Sequence, residues 1–416
     1  MAASPRLFLV SDLHVNAAEN WMWLEQLSNT AFKEDALIIA GDVCEDFDTL
    51  KEALTMLCGK FSKVWYTPGN HDLWLSPEDA EAGTSMAKLE DILGICEQLG
   101  VATTLGRFGD AAEGKGVWVW PFLSFHHQGF DTEPDVQGWD VPRAEDVMLD
   151  YRQCAWPDPL SMLDDSVARA VDEANERLCP PPAEVLEAFL QRDPRAEPLV
   201  TVSHFLPRQE LLPEKRFLFL PVLPKASGSR FLGERIASLR PQVHCFGHTH
   251  FAWDMILAIE SDSAPSPHQI RFIQAALSNP SERLSRWHTL SIGNFGRAGP
   301  LLIWSANEGI VPKMHCRWSG YYEHHERVTQ LDGQTEFQMA RYAARFARTD
   351  KRAEVIDPDF SHEGDGASSG VRMRTSDPAL AEPESLLEGS DGGTASPRGS
   401  SSWWPKGVWR TGANPL

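Results

Sequence analysis

The chain has 416 residues and carries 38 basic against 59 acidic side chains, which gives a formal net charge of −21. Apolar residues make up 42% of it, enough for the core of one domain of roughly 250–300 residues with appendages. The sequence has no apolar run of about 18 residues, so no membrane-spanning helix is predicted. The acidic balance argues against nucleic acid as a partner, because phosphate backbones require clustered Lys and Arg.

Seven cysteines, an odd number without a Cys-x-x-Cys pair, argue against a disulfide framework and against a thiolate zinc site. The N-terminus shows neither the apolar segment nor the small-residue cleavage site of a signal peptide. A reducing compartment fits both observations, so we expect a cytoplasmic protein.

Strands and helices alternate over the first 75 residues. Short apolar runs predict buried strands at residues 7–10, 36–40 and 64–66. Helical spacing lies between these runs at 20–27 and 47–57. Alternation of this kind is typical of an α/β layer.

The remainder of the chain continues to mix the two kinds of element. Helices are predicted at 77–99, 162–178 and 183–191, and strands at 117–120, 199–203, 243–246, 253–259, 270–277 and 301–304. The stretch 124–159 is rich in Gly, Pro, Asp and aromatic residues and has no clear period. It is predicted to be an irregular insertion that is functional or mobile, with His126 and His127 in solvated loop.

A change of composition near residue 350 sets the predicted domain boundary. Ser, Gly, Pro and acidic residues dominate after this point, so we predict one domain over 1–349 and a disordered tail over 350–416. Trp403 and Trp404 in the tail leave a protein partner open as an alternative to a frayed end.

Five polar segments follow predicted strands. Parallel strands deliver the loops at their carboxyl ends to one edge of a sheet, so these segments are expected to meet. Their polar side chains comprise two Asp, one Asn and four His that suit a metal: Asp12, His14, Asp42, Asn70, His204, His248 and His250. Imidazole with carboxylate suits Zn, Fe or Mn. Seven ligands are too many for one ion and suit two ions that share a carboxylate, an arrangement that promotes displacement at phosphorus.

In this order the segments D-x-H, G-D, G-N-H-D, an isolated His and G-H-x-H resemble the calcineurin-like metallophosphoesterase superfamily over about residues 6–305. The resemblance implies an α/β fold, a four-layer α-β-β-α sandwich of two mixed β-sheets flanked by helices. It implies a first metal on Asp12, His14 and His250 and a second on Asn70, His204 and His248. Asp42 would bridge both ions, together with a hydroxide that attacks phosphorus.

Three further kinds of site residue are expected. The resemblance implies that His71 faces the substrate as a general acid or stabilises charge on the leaving oxygen, and that Asp72 orients His71. Arg208 and Arg230 are candidates for substrate binding, because a guanidinium can clamp phosphate oxygens. Trp74 follows the third segment closely and is a candidate wall of the site.

The predicted function is hydrolysis of a phosphomonoester or phosphodiester, with a small molecule or nucleotide as substrate and two divalent or trivalent ions (Mn, Fe or Zn) as cofactors. A protein phosphatase is one alternative, although the third segment reads G-N-H-D where Ser/Thr protein phosphatases carry G-N-H-E. A catalytically silent interaction scaffold is another, and the complete ligand set argues against it.

Overall fold

Two mixed β-sheets form the centre of the fold. The structure is a computed structural model that describes residues 4–76, 83–110, 115–136, 141–218, 220–260, 266–285, 299–314 and 316–328. These residues all belong to one compact unit. The predicted tail over 350–416 lies outside the described residues, so its boundary stays a prediction.

The first sheet has five strands in the described residues, in the spatial order β11-β10-β1-β2-β3. Its strands are β1 Arg6–Val10, β2 Ala36–Ala40, β3 Lys63–Thr67, β10 Leu301–Ser305 and β11 Gly309–Ile310. The second sheet has six, in the order β4-β5-β6-β7-β9-β8. Its strands are β4 Gly106–Asp110, β5 Lys115–Pro121, β6 Leu199–Val202, β7 Val243–Phe246, β8 Trp253–Ile259 and β9 His268–Gln274.

Helices lie between and after these strands. They are α1 Ala18–Gln26, α2 Phe47–Lys60, α3 Ser85–Leu99, α4 Ala144–Val147, α5 Asp150–Gln153, α6 Ser166–Leu178, α7 Ala183–Gln191, α8 Arg230–Leu239, α9 Pro280–Ser285 and α10 Arg317–His324. Leu50, Leu54 and Leu57 of α2 pack into the same core as β1 and β2. Leu232 and Ile236 of α8 pack with Phe246 and Phe272 of the second sheet. The predicted α/β fold of two mixed sheets flanked by helices is confirmed.

The central strands are parallel and their carboxyl ends are aligned. Leu9 of β1 is level with Ile38 of β2, and Ile38 is level with Trp65 of β3. In the second sheet, Val202 of β6 is level with Cys245 of β7. All five residues of β2 are buried, as expected of a parallel strand covered on both faces.

The two sheets meet at these carboxyl ends. The amide of Ser11, just past β1, donates to the carbonyl of Ala275, just past β9, at 3.0 Å. The amide of Leu277 donates back to the carbonyl of Ser11 at 2.9 Å. Two backbone hydrogen bonds therefore join the loops after β1 and β9. The carboxyl ends of the central strands of both sheets lie at this junction.

The helix predicted over 77–99 is not continuous, and the helix predicted over 162–178 starts later than expected. Gly83 and Thr84 are not helical and α3 begins at Ser85, because the Thr84 side chain accepts a hydrogen bond from the amide of Ala87 and caps the helix. The start predicted at residue 77 lies, with the rest of 77–82, outside the described residues. The helix expected from residue 162 begins at Ser166, because a turn precedes it. The Ser166 hydroxyl accepts from the amide of Ser161 and donates to its carbonyl, and the Ser161 hydroxyl accepts from the amide of Leu163.

The irregular insertion is more deeply packed than its composition indicates. His126 and His127, expected in solvated loop, are both 1% exposed. The amide of Leu75 donates to the carbonyl of Gln153 at 2.8 Å, which ties α5 to the loop after β3. Residues far from this segment in the sequence therefore bury it, and the local sequence pattern does not predict that burial.

Within the described ranges, no helix combines the length and the apolar composition needed to cross a membrane. All seven cysteines lie in these ranges and are free thiols, which agrees with the expected absence of a disulfide framework.

We expect Ile38→Ala to lower the free energy of unfolding by about 2–5 kcal/mol, because Ile38 is fully buried in the middle of β2 and alanine leaves a cavity. Chemical denaturation of the full chain measures the change. Ile256→Ala on β8 is the matched control, since Ile256 is 47% exposed, and its effect should stay below about 1 kcal/mol. Equal losses in the two variants would contradict the core assigned here.

Candidate metal centre

The strand ends bring all seven predicted metal ligands to one place. Asp12 and His14 follow β1, Asp42 follows β2, and Asn70 follows β3. The ligands from the second sheet are His204 after β6 and His248 and His250 after β7. None of the seven is more than 2% exposed. The expected meeting of these segments is therefore what the structure shows.

Left-handed backbone turns these side chains toward each other. Five of the seven have positive φ: Asp12 at 53°, His14 at 43°, Asp42 at 56°, His248 at 77° and His250 at 57°. Such conformations cost about 1–3 kcal/mol each in non-glycine residues and concentrate at functional sites. Bonds between the loops hold them: the amide of His14, for example, donates to the carbonyl of Asp42 at 2.9 Å.

A first group consists of Asp12, His14, Asp42 and His250, whose ligand atoms all lie within 4.8 Å of one another. His250 Nε2 is 3.0 Å from His14 Nε2 and 3.4 Å from Asp12 Oδ1. His14 Nε2 is 3.8 Å from Asp42 Oδ2. Ligands about 2.0–2.2 Å from a zinc ion are separated by distances of this order, so the group could hold a metal ion.

A second group consists of Asn70, His204 and His248. Asn70 Oδ1 is 3.0 Å from His204 Nε2 and 3.0 Å from His248 Nδ1. Asp42 reaches this group with its other carboxylate oxygen, since Oδ1 is 3.4 Å from His204 Nε2. Asp42 therefore stands between the two groups and presents one oxygen to each.

Three of the imidazoles are oriented by a partner outside the groups. His204 Nδ1 donates to the Ala40 carbonyl at 2.9 Å, and His248 Nε2 donates to the Ala226 carbonyl at 2.8 Å. His250 Nδ1 donates to Glu282 Oε2 at 2.5 Å. In metal-binding proteins, the second ring nitrogen of a ligating histidine is held in this way, which fixes the tautomer.

Asn70 and His248 supply the strongest test of whether a cation fits. Asn70 Nδ2 donates to Asp150 Oδ1 at 2.8 Å, which fixes the amide oxygen toward the histidines. His248 is neutral, because burial and the charge of His204 lower its pKa well below the usual value. With Nε2 donating, its Nδ1 is a lone pair that faces the lone pairs of Asn70 Oδ1 at 3.0 Å. Two acceptors at this distance call for a cation bound to both, so the donor set fits a metal.

The pKa shifts in the first group also favour a bound cation. Burial raises the pKa of Asp42 to about 7, so its charged form lacks sufficient compensation from the protein alone. Burial, and then the charge of His250, lowers the pKa of His14 to about 3, which leaves a neutral ring with a lone pair. Burial opposes a charge on His250, but Glu282 and Asp12 outweigh it and raise the pKa of His250 to about 10.

Asp72 accepts hydrogen bonds from four backbone amides. Its oxygens accept from the amides of Asp42, Val43, Cys44 and Gly69 at 2.8–3.0 Å. These bonds hold the loop after β2 in its left-handed turn beside the loop after β3. The expected orientation of His71 by Asp72 stays a prediction.

His71 is held from two other directions. Its amide donates to Asp42 Oδ1 at 3.0 Å, and its ring stacks on Trp74 with centroids 3.6 Å apart. The His71 ring also lies 4.7 Å, centroid to centroid, from that of His14. The expectation that Trp74 walls the site therefore agrees with the structure, through its contact with His71.

At two glycines, neighbouring side chains leave no room for a Cβ atom. A Cβ at Gly69 would lie 2.1 Å from Asp42 Oδ1, although the φ of Gly69 is not in the left-handed region. A Cβ at Gly41 would lie 2.2 Å from His204 Nδ1, and there φ is also positive, at 80°. Close approach of the backbone to the ligands is therefore the shared reason for glycine at these two positions.

Comparison with known proteins places this geometry in a family. The family model described as calcineurin-like phosphoesterase matches residues 5–252. The chain belongs to the calcineurin-like phosphoesterase family. The predicted family is thereby confirmed, and with it the expectation that the fold is that of a metallophosphoesterase.

One relative, PptH of Mycobacterium tuberculosis, is matched both by sequence and by structure. The [acyl-carrier-protein] phosphodiesterase PptH of Mycobacterium tuberculosis is 35% identical over 103 residues, which are 25% of this chain and 32% of that protein. The chain thus spans about a third of the length of this curated relative. The crystal structure of phosphopantetheinyl hydrolase (PptH) from Mycobacterium tuberculosis aligns with 69% of this chain and 94% of its own, at 20% identity and a TM-score of 0.48.

The two predicted substrate-binding arginines lie at the protein surface. Arg208 pairs with Glu210 at 2.5 Å, and its side chain is 43% exposed. Arg230 pairs with Asp165, and its side chain is 52% exposed. Their binding to substrate stays a prediction.

Sequence reasoning gave no role in the site to three residues that contact the ligand groups or their supports. Glu282 binds His250, Asp150 binds Asn70, and His126 Nε2 lies 3.1 Å from Asp150 Oδ2. Neither Asp150 nor Glu282 follows a predicted strand or matches a family motif. The histidine pair within an otherwise irregular stretch was the one signal available for His126.

We expect Gly69→Ala to lower the metal content of the protein, because the new Cβ would displace Asp42 Oδ1. Elemental analysis of the purified protein measures the metal content. Gly94→Ala is the matched control: it lies in α3 with no atom within 4 Å of its would-be Cβ, and should keep the metal while raising stability by up to about 1 kcal/mol. Full metal content in Gly69→Ala would contradict the crowding argument.

Proposed function

We propose that this chain is a metal-dependent hydrolase of phosphoesters with a centre for two metal ions. Asp12, His14 and His250 would hold one ion, and Asn70, His204 and His248 the other. Asp42 would bind both, and the observation that carries this proposal is its position with one oxygen toward each group. Imidazole, carboxylate and amide ligands suit Mn, Fe or Zn.

When bound, two such ions polarise a phosphoryl oxygen and lower the pKa of a coordinated water. The other work falls to the chain's own residues. Burial and the neighbouring imidazoles, His14 first, lower the pKa of His71 well below the usual value, so its ring is neutral. A neutral ring acts best as a hydrogen-bond donor that stabilises charge on the leaving oxygen. Stacking on Trp74 and the amide bond to Asp42 fix where that donor points.

A phosphodiester is the favoured substrate class, because the curated relative at 35% identity is named a phosphodiesterase. A small molecule or nucleotide that carries such a linkage remains the first candidate. The second candidate is a carrier protein with a phosphopantetheinyl group, which the names of the same relative favour. Seven free thiols support a reducing compartment, so we place the enzyme in the cytoplasm.

We expect Asp42→Asn to lose metal content together with hydrolysis of a chromogenic phosphodiester in the presence of Mn²⁺, because the amide removes the charge shared by both groups. Turnover on the matching monoester, measured in parallel, distinguishes a phosphatase from a phosphodiesterase. Asp48→Asn is the matched control, an exposed carboxylate in the first turn of α2, and should behave as wild type. Full activity of Asp42→Asn would rule out the two-metal centre. A wild-type protein that binds metal and hydrolyses neither ester would favour the scaffold alternative.

We expect His71→Gln to retain both metals and to lower kcat by roughly 10²–10⁴-fold, because it removes the imidazole donor without altering any proposed ligand. Elemental analysis and steady-state kinetics on the same preparation measure both effects. Loss of metal in this variant would show that His71 is a ligand, contrary to the role given to it here.

A further inference from the structure

Asp150, in the insertion, has one carboxylate that reaches two parts of the centre. It is 1% exposed and begins the short helix α5. Its Oδ1 accepts from Asn70 Nδ2 at 2.8 Å and from the indole Nε1 of Trp74 at 2.7 Å. Its Oδ2 lies 3.1 Å from His126 Nε2, which belongs to the same insertion. Both oxygens of this carboxylate are buried, and the partners of both are buried side chains.

The contact with Asn70 decides which way the amide points. A carboxylate accepts hydrogen bonds and donates none, so only the NH₂ group of Asn70 can face Asp150. The amide oxygen is thereby directed at His204 and His248, where a metal would need it. Without the carboxylate, a flipped amide could instead donate to the lone pair of His248 Nδ1. Such a flip would give this pair a hydrogen bond and abolish the oxygen ligand.

The contact with Trp74 reaches the proposed donor to the leaving group. The indole is held by its bond to Asp150 on one side and stacks against His71 on the other, with centroids 3.6 Å apart. A rotation of the indole would remove the surface on which the His71 ring rests. The orientation of His71 therefore also depends on Asp150, through one intermediate side chain.

His126 supports the carboxylate from behind. Its ring is buried against Phe125 and Phe205, with centroid distances of 4.8 and 5.5 Å. Phe205 in turn packs against His248, with centroids 4.6 Å apart. The imidazole therefore has little freedom to turn, and it keeps Asp150 Oδ2 in place while Oδ1 makes its two bonds.

We propose that Asp150 is a positioning residue of the metal centre: by binding Asn70 and Trp74 together, it directs the amide oxygen of Asn70 to the second metal ion and holds the wall behind His71. This inference rests on the proposed function for the identity of the centre. It assigns the insertion a role in assembling that centre, where the sequence predicted an irregular insertion that is functional or mobile and named no role for Asp150.

The test compares the Mn²⁺ affinity of wild type with that of Asp150→Ala by titration of the metal-free full chain. We expect one of two sites to weaken by about 10–100-fold, the usual cost of losing a partner that orients a ligand, and the other to change little. Asp150→Asn keeps an oxygen for both donors and should recover most of the affinity. Asp146→Ala is the matched control on the same insertion, since Asp146 is exposed and pairs with Arg143.

A merely structural role for Asp150 would not depend on Asn70. The titration is therefore repeated for Asn70→Ala and for the double variant. If Asp150 acts through Asn70, the double variant should bind Mn²⁺ about as weakly as Asn70→Ala alone, because the two losses are not additive. Additive losses, or unchanged affinity in Asp150→Ala, would overturn the inference.

The outcomes also separate this inference from the proposed function. Wild type that binds two Mn²⁺ ions without hydrolysing any phosphoester would contradict the proposed function, while the titrations would still decide the role of Asp150. Wild type that binds no Mn²⁺ would overturn both.

Discussion

Two carboxylates buried between two sheets set the main constraint on this structure. Asp12 and Asp42 are both fully buried, and an ionised carboxylate without a partner is among the most costly groups to place in a protein interior. Burial opposes a charge on His204, yet Asp42 raises the pKa of His204 to about 9. Neighbouring imidazoles thus offset part of the cost of burying these charges, and a bound metal ion would offset the remainder. The left-handed loops and the crowded glycines exist to bring these groups within reach of each other.

The centre also couples the two sheets. Asp12, His14, Asp42 and Asn70 come from the first sheet, whereas the remaining ligands, His204, His248 and His250, come from the second. Neither sheet alone presents enough ligands for two ions. A ligand that binds only the assembled state stabilises that state, so metal should hold the sheets together as well as serve the reaction.

The parts predictable from sequence are those encoded locally. Buried strands appear as apolar runs, and the ligands follow them within a few residues, so Asp12 or His204 could be placed without a structure. Asp150 could not, because it lies 80 residues from Asn70 and follows no strand. The break in the predicted helix 77–99 before Ser85 was missed because capping by Thr84, a single hydrogen bond, decides where a pattern of helical spacing becomes a helix.

The insertion and the centre depend on each other for order. Helices of four residues, such as α4 and α5, are too short to be stable alone, so the insertion relies on its contacts with the loop after β3. One of these is the backbone bond from Leu75 to Gln153, and another is the carboxylate of Asp150 on Asn70. Coupling of this kind is reciprocal, since whatever fixes Asn70 also favours the docked insertion. Metal bound at Asn70 would therefore order the insertion, and a substrate that contacts the insertion would in turn strengthen the hold on metal.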